Sequence, residues 1–322
     1  MKAQVLVAED GPSGLELQDV PEPVPAPGQV VVDVRSCGLC FPDVLMSRGR
    51  YQLRPPVPYI PGIEAAGVVR TAPEDSGHVP GDRVMVAALT GGFAERIVAV
   101  PQQLYRIPDE LSFDEGAAMG INFQTALFAL KTRARTEAGE TVCVLGAAGG
   151  VGVASILVAK ALGARVIAVV HRTGAEEMLR GLGADEVVQL ADGWKDRVLA
   201  LSDGGVDVVI DPVGGDVFDE ALRTAASGGR YVVIGFAAGG IPTVKLNRVL
   251  FRNVSIIGAA WGEYISRNPE LPVRLHEELV ELIGAGLRPP IGAVYPLEEL
   301  PTALADLAEG RILGKGVIRI SE

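Results

Sequence analysis

The chain has 322 residues, and its 40 Gly and 22 Pro fall short of the roughly 25–30% share that marks low-complexity disorder. With 48% hydrophobic residues it can build a packed core, and its length predicts about two domains. The formal charge is 29 − 40 = −11 without concentrated Lys and Arg, which excludes nucleic acid and anionic membrane surfaces as expected partners, because phosphate neutralisation needs clustered cations.

The first third reads as strands and turns. Residues 3–8 form a short apolar strand, and Pro21, Pro23, Pro25 and Pro27 force an extended connector, since each ring fixes φ and removes a donor. Residues 29–37 alternate around Val30, Val32 and Val34, the pattern of a half-buried strand. Residues 62–69, 82–87 and 95–100 repeat it between Pro-Gly and Gly-Gly turns. After Pro108 the rhythm changes. Residues 112–132 are helical and open on a capping pattern, Ser112 followed by Glu115. Six strands are then predicted at 142–145, 165–170, 186–189, 206–210, 229–234 and 254–258, with helical patterns such as 153–162 and 175–182 between them. That alternation predicts a doubly wound parallel sheet. An amphipathic helix over 271–285, a helix around 300–309 and a strand over 316–320 lie beyond the pattern, so the chain is expected to return to its first domain.

No secretory signal is expected at the N-terminus, where Glu9 and Asp10 follow a short apolar run. Residues 141–159 carry no charge and have the length of a membrane span, but Gly146, Gly149, Gly150 and Gly152 interrupt them. The three cysteines cannot form a disulfide framework and fit a reduced, cytoplasmic chain.

The strongest motif is Gly146-Ala-Ala-Gly149-Gly150-Val151-Gly152, placed after an apolar strand and at the start of a helix. That setting makes a glycine run a dinucleotide fingerprint, because free N–H groups and the helix dipole stabilise a pyrophosphate. Gly149 and Gly150 are expected to let the backbone approach the phosphates beside Val151, and Gly152 to let the helix pack on the strand. The second strand ends Val170-His171-Arg172-Thr173, without the acid that would bind a ribose 2′-OH. Arg172, aided by His171, favours the 2′-phosphate of NADPH. Glu176 and Glu177 lie just beyond and would serve NADH if the loop bent differently.

Further short motifs occur in order along the whole chain: Gly38-Leu-Cys-Phe-Pro-Asp43, Gly49-Arg-Tyr51, Pro61-Gly-Ile-Glu-Ala-Ala-Gly67, Gly81-Asp-Arg-Val84, Gly91-Gly-Phe-Ala-Glu95, Asp211-Pro-Val-Gly-Gly215, Ile234-Gly-Phe-Ala237, Trp261-Gly262 and Gly310-Arg-Ile-Leu-Gly-Lys315. Together with the glycine loop they resemble the medium-chain dehydrogenase/reductase superfamily, and most closely its zinc-free NADPH:quinone oxidoreductase branch. The resemblance implies an α/β chain in which a split GroES-like domain (1–117 and 262–322) surrounds a six-stranded Rossmann domain (118–261). The family's alcohol dehydrogenases hold zinc by a Cys in Gly-x-Cys-x-x-Asp and a His in Gly-His-Glu. Here Cys40 holds the first position, but Ile63 stands at the second and cannot coordinate. Cys40 itself departs from the quinone reductases, which more often have Asn there. No metal is therefore expected. The pair Cys37-Gly-Leu-Cys40 also admits a redox reading, against which Cys37 is expected to end a buried strand and Cys40 to line the cleft.

The resemblance also implies site residues. Tyr51 is a candidate hydrogen-bond donor to the acceptor oxygen, or else a loop aromatic. Asp43 would orient the site with Cys40. Thr125 resembles a family position near the nicotinamide, or else is a structural helix residue, while Gly235, Phe236, Ala237 and Trp261 follow the fifth and sixth strands, whose C-terminal ends should meet the nicotinamide half of the cofactor. Lys315 would face the cofactor cleft, or else be solvated. Related reductases bind the 2′-phosphate with Ser and Lys after the second strand, where this chain has Arg172 and Ala175. The expected activity is hydride transfer from NADPH to a small electrophilic acceptor, a quinone or a conjugated carbonyl. An enoyl or enone reductase is the alternative, and a cofactor-binding protein without turnover a further one. The apolar strand near 253–260 predicts a homodimer, because an uncovered edge is an aggregation liability.

Overall fold

The valine alternation of the first third produces short antiparallel strands. The computed structural model describes residues 1–321. β1 (Lys2–Leu6) pairs with β2 (Leu15–Asp19), and the proline segment leads into β3 (Val30–Gly38). Then come α1 (Phe41–Ser47), β4 (Glu64–Thr71), β5 (Arg83–Ala87), β6 (Arg96–Ala99) and β7 (Leu104–Arg106). β3 is the spine of this sheet. It pairs with β4 along one edge and, through residues 30–33, with β6 on the other.

The predicted capping box forms. Ser112 donates from its N–H and its hydroxyl to Glu115 Oε2, both at 2.8 Å, and Glu115 N–H returns a bond to Ser112 Oγ at 3.2 Å. It opens α2 (Phe113–Leu127), which passes into a π-helical turn over Phe128–Arg133. The alternating region supplies β8 (Thr141–Leu145), α3 (Gly150–Ala161), β9 (Arg165–Val170), α4 (Glu176–Gly181), β10 (Glu186–Gln189), α5 (Trp194–Leu201) and β11 (Val206–Asp211). It continues through α6 (Phe218–Thr224), β12 (Ala225–Val233), α7 (Leu246–Arg252), β13 (Ser255–Gly258), α8 (Trp261–Ile265) and α9 (Leu271–Gly284). The six strands lie in the order β10-β9-β8-β11-β12-β13, every pairing parallel. This is the doubly wound order of a Rossmann domain. The uncharged stretch 141–159 divides between β8 and α3, and no helix of the described residues is long and apolar enough to cross a membrane.

The tail is β14 (Ile291–Pro296), α10 (Leu300–Ala308) and β15 (Lys315–Arg319). β15 returns to the first sheet and pairs antiparallel with residues 36–38 of β3. The chain thus divides into two compact units, Met1–Ile121 with the stretch from Arg288 onward, and Asn122–Leu287. These bounds differ from the expected ones, because residues 262–287 go with the parallel sheet. α9 buries Leu271, Leu275, Leu279 and Ile283, and Lys131 Nζ bonds Glu278 Oε2 at 2.8 Å within the same unit. The first unit's core gathers Leu6, Val32, Val34, Phe93, Leu300 and Ile318, the second's Leu145, Ile167, Trp194, Val209 and Tyr231.

Candidate active site

In the second unit the apolar run of β8 ends at Leu145, and Gly146 turns the chain with φ +58°. Gly149 then caps α3. A Cβ on Gly152 would lie 2.3 Å from Gly146 O and 2.7 Å from Ala147 Cα, so its absence lets the helix pack on the loop that follows the strand, one step beyond the strand itself. Gly149 has only Gly146 O near that position, at 3.4 Å, and the space beyond is open. Gly150 is more crowded. Its Cβ would meet Asn122 Nδ2 at 2.2 Å, so this glycine also makes room for a protein side chain. The first amides of α3, Val151 among them, have no intrahelical acceptor and face the positive end of the dipole. These residues fit a dinucleotide pyrophosphate.

His171 and Arg172 follow β9 directly. His171 is exposed, and its carbonyl accepts a bond from Gln189 Nε2 at 2.5 Å. Arg172 is half-buried, and burial lowers its pKa. Glu176 and Glu177 are exposed in the first turn of α4, not at the strand tip. Gly235, Phe236 and Ala237 follow β12, where Phe236 is exposed and Ala237 N–H bonds Pro212 O at 3.1 Å. Thr125 is buried within α2. Trp261 opens α8, but its ring is buried against Phe128 with centroids 5.4 Å apart. Core packing thus holds the Trp261 ring.

The first unit carries a buried charged cluster. α1 begins after Cys40, whose N–H bonds Asp43 Oδ2 at 3.0 Å across the first turn. Glu64 begins β4 and Lys315 begins β15. Lys315 Nζ lies 2.6 Å from Glu64 Oε2 and 3.1 Å from Cys40 Sγ, and Cys40 Sγ is 3.4 Å from the same carboxylate oxygen. Glu64 Oε1 accepts the N–H of Ile121 at 2.8 Å. Gly38 makes the approach possible, since a Cβ there would lie 2.1 Å from Ala117 O and 2.7 Å from Lys315 Cε. The expectation of a solvated Lys315 is thus corrected. Its ammonium is not solvated; it is enclosed by an acid and a thiol.

Electrostatics follow from that enclosure. Burial works against the Lys315 charge, but the acidic groups of Cys40 and Glu64 outweigh it and hold the ammonium pKa above its usual value. Burial pushes the Cys40 and Cys37 thiols well up. Cys37 lies one residue before the end of β3, fully buried, with its thiol donating to Glu64 O at 2.9 Å. The two cysteines of the Cys-x-x-Cys run thus bond different atoms of Glu64, Cys37 its carbonyl and Cys40 its carboxylate. Burial also raises Asp43 to about 7, despite its bond from the Cys40 amide. Its Oδ1 is buried and takes no partner. Tyr51 lies within reach of this field. Burial first, then the acidic groups of Cys40 and Asp43, raise its phenol. Tyr51, Cys40 and Asp43 thus share one neighbourhood.

Comparison with known proteins fits both units. Residues 26–109 match the family model described as an alcohol dehydrogenase GroES-like domain, and residues 150–277 the one described as a zinc-binding dehydrogenase. Quinone oxidoreductase-like protein 2 of Bos taurus is 40% identical over 305 residues, 93% of this chain and 87% of that protein. The chain belongs to the medium-chain dehydrogenase/reductase superfamily, in its quinone oxidoreductase branch. It is an oxidoreductase. Among solved structures, a probable oxidoreductase from Mycobacterium abscessus is similar at a TM-score of 0.93 with 46% identity, covering 99% of this chain and 98% of that one. The quinone oxidoreductase of Thermus thermophilus, solved also with NADPH, is similar at 0.86 with 37% identity, covering 99% of this chain and 100% of that one.

The zinc named in one family description does not fit these residues. Ile63 offers no donor, and the thiol and carboxylate nearest it already surround the Lys315 ammonium. Catalytic zinc sites take three protein ligands, and no group of three His, Cys, Asp or Glu side chains among the described residues could hold a metal. Glu64 was not among the expected site residues. The signal lay in the strands themselves, where one acid precedes Ala-Ala-Gly-Val-Val and one lysine precedes Gly-Val-Ile. Opposite charges at the heads of two apolar strands of one sheet invite pairing. Asn122 was also missed, because nothing local ties it to Gly150.

Proposed function

We propose that the protein is a zinc-independent, NADPH-dependent reductase of quinones or related conjugated carbonyl acceptors. The observation that carries this reading is the Lys315–Glu64–Cys40 cluster, a fixed ammonium where the zinc enzymes of the family hold a metal. Without a Lewis acid to polarise a simple carbonyl, the acceptor must already be electrophilic. Arg172 at the end of β9, with no acid at the strand tip, supports NADPH over NADH. The NADPH complex of the Thermus thermophilus relative is in line with it.

Bound NADPH supplies the hydride. The chain's own groups bind the pyrophosphate at the start of α3, orient the cofactor and stabilise the oxyanion that develops on the acceptor. Tyr51 is the donor we assign to that oxyanion, because its half-buried phenol, protonated at neutral pH, lies in the neighbourhood of Cys40 and Asp43. The net reaction is quinone + NADPH + H⁺ giving hydroquinone and NADP⁺. A panel of quinones, enones and enoyl thioesters, assayed by NADPH oxidation with metal analysis of the same sample, tests the reading. Turnover of quinones or enones with no stoichiometric metal is expected. No turnover on the whole panel, or activity lost to a chelator, would sink it.

We also propose a homodimer formed at β13. This strand ends the parallel sheet, and nearby Leu246, Leu250 and Phe251 are exposed by 68–79%. Such an apolar patch beside a free strand edge favours a twin subunit. A monomer at micromolar concentration in light scattering is the contrary result. The free, buried cysteines Cys37, Cys40 and Cys143 accord with a cytoplasmic location.

A further inference from the structure

The second unit contains a buried acid that the phosphate loop does not use. Asp211 ends β11 and is fully enclosed. Its carboxylate accepts from three donors. Oδ1 takes the N–H groups of Val213 and Gly214 at 2.8 and 2.9 Å, and Oδ2 takes the Tyr231 hydroxyl at 2.7 Å. Tyr231, on neighbouring β12, has no exposed surface, and its ring stands edge-on to Phe218 with centroids 5.0 Å apart. Burial and then the Asp211 charge raise its pKa far above the ordinary value, so the phenol is a permanent donor. An apolar pair would fill this space without the desolvation cost of a carboxylate. Packing alone does not call for the acid.

The bonds organise the connections at one end of the sheet. Asp211 Oδ1 pins the turn 212–215. That turn is tied to the segment 235–240 by Ala237 N–H to Pro212 O (3.1 Å), Ala238 N–H to Val213 O (3.0 Å) and Gly215 N–H to Gly240 O (2.9 Å). On its other side Val213 Cγ2 sits 2.9 Å from where a Cβ of Gly146 would be. The turn is therefore wedged between the phosphate loop and the segment that carries Phe236. β8 and β11 are also adjacent strands whose following connections diverge to opposite sides of the sheet, the crevice where open parallel sheets bind ligands.

We infer that Asp211, held by Tyr231, is a positioning residue that pre-forms the nicotinamide dinucleotide crevice by locking the 212–215 turn against Gly146 and the 235–240 segment. This rests on the cofactor reading above. Its energetic basis is preorganisation, since a turn already ordered costs nothing to order on binding. Tyr231→Phe removes one hydroxyl and keeps the ring; Asp211→Asn keeps the shape but removes the charge that holds the turn amides and the acceptor for the Tyr231 hydroxyl.

The test is NADPH titration by fluorescence of folded wild-type, Y231F and D211N protein well below their melting temperatures, with acceptor KM measured alongside. We expect the NADPH Kd to rise by about tenfold in each variant, with acceptor KM unchanged. A residue serving packing alone would lower Tm and leave the Kd of the folded protein where it was, which overturns the proposal. If D211N does not fold, Y231F decides by the same criterion. A wild-type protein that binds neither NADPH nor NADH removes the cofactor reading and the proposal with it, whereas normal wild-type binding with unaltered variants defeats the proposal alone.

Discussion

Lys315 Nζ and Glu64 Oε2 lie 2.6 Å apart, with only 4% of one side chain and none of the other reaching solvent. Two full charges are thus held together in the interior of the first unit, joined by a thiol and one backbone amide. Removing one partner leaves the other buried and uncompensated. Glu64→Gln or Lys315→Met is expected to cost about 3–5 kcal/mol in denaturant unfolding. The double variant should recover much of that loss, so a double-mutant cycle will show strong coupling. Additive losses would mean that the pair is not the interaction holding these side chains.

Asp43 makes stability depend on pH in a predictable direction. Its folded pKa of about 7 lies above the unfolded value of 3.8. The folded state therefore holds the proton more tightly, and this contribution is complete below the unfolded pKa and lost as pH rises through about 7. Between pH 5 and pH 8 the wild type should lose about 3 kcal/mol more than Asp43→Asn. Parallel pH profiles for the two proteins would refute the assignment.

The glycines of the phosphate loop separate by experiment. Gly152→Ala drives a Cβ to 2.3 Å from Gly146 O, so it should lower Tm sharply. Gly149→Ala finds its nearest neighbour at 3.4 Å and a negative φ of −87°, so Tm should hold while affinity for NADPH falls. Equal melting temperatures for the two variants would contradict this packing.

Arg172→Ala addresses cofactor choice. If the guanidinium meets a 2′-phosphate, kcat/KM for NADPH should fall about tenfold or more, while that for NADH stays the same. Equal losses with both cofactors would place its role elsewhere.

Tyr51→Phe deletes the hydroxyl assigned to the acceptor oxyanion. A drop in kcat of about 10- to 100-fold with little change in acceptor KM is expected. An unchanged kcat would make Tyr51 a loop aromatic and nothing more.

The second unit was legible because its signals are local. Each strand is an apolar run bounded by turn residues, and the glycine loop announces itself between β8 and α3 within seven residues. Ser112 and Glu115 show the same economy, since a capping box spans a single turn. The cluster of the first unit was not legible in this way. Glu64 and Lys315 are 251 positions apart, and each looks like an ordinary charge beside a strand.

The amino-acid sequence by itself determined the order of elements, the return of the last strand to the first sheet, and the absence of a histidine at Ile63. These follow from periodicity, turn chemistry and residue identity. Only the tertiary structure decided that Lys315 pairs with Glu64, that Gly150 yields its space to Asn122, and that Asp211 gathers Tyr231 with its own following turn. Such contacts join residues distant along the chain. Their energy comes from burial and desolvation, quantities that exist only once the strands have met.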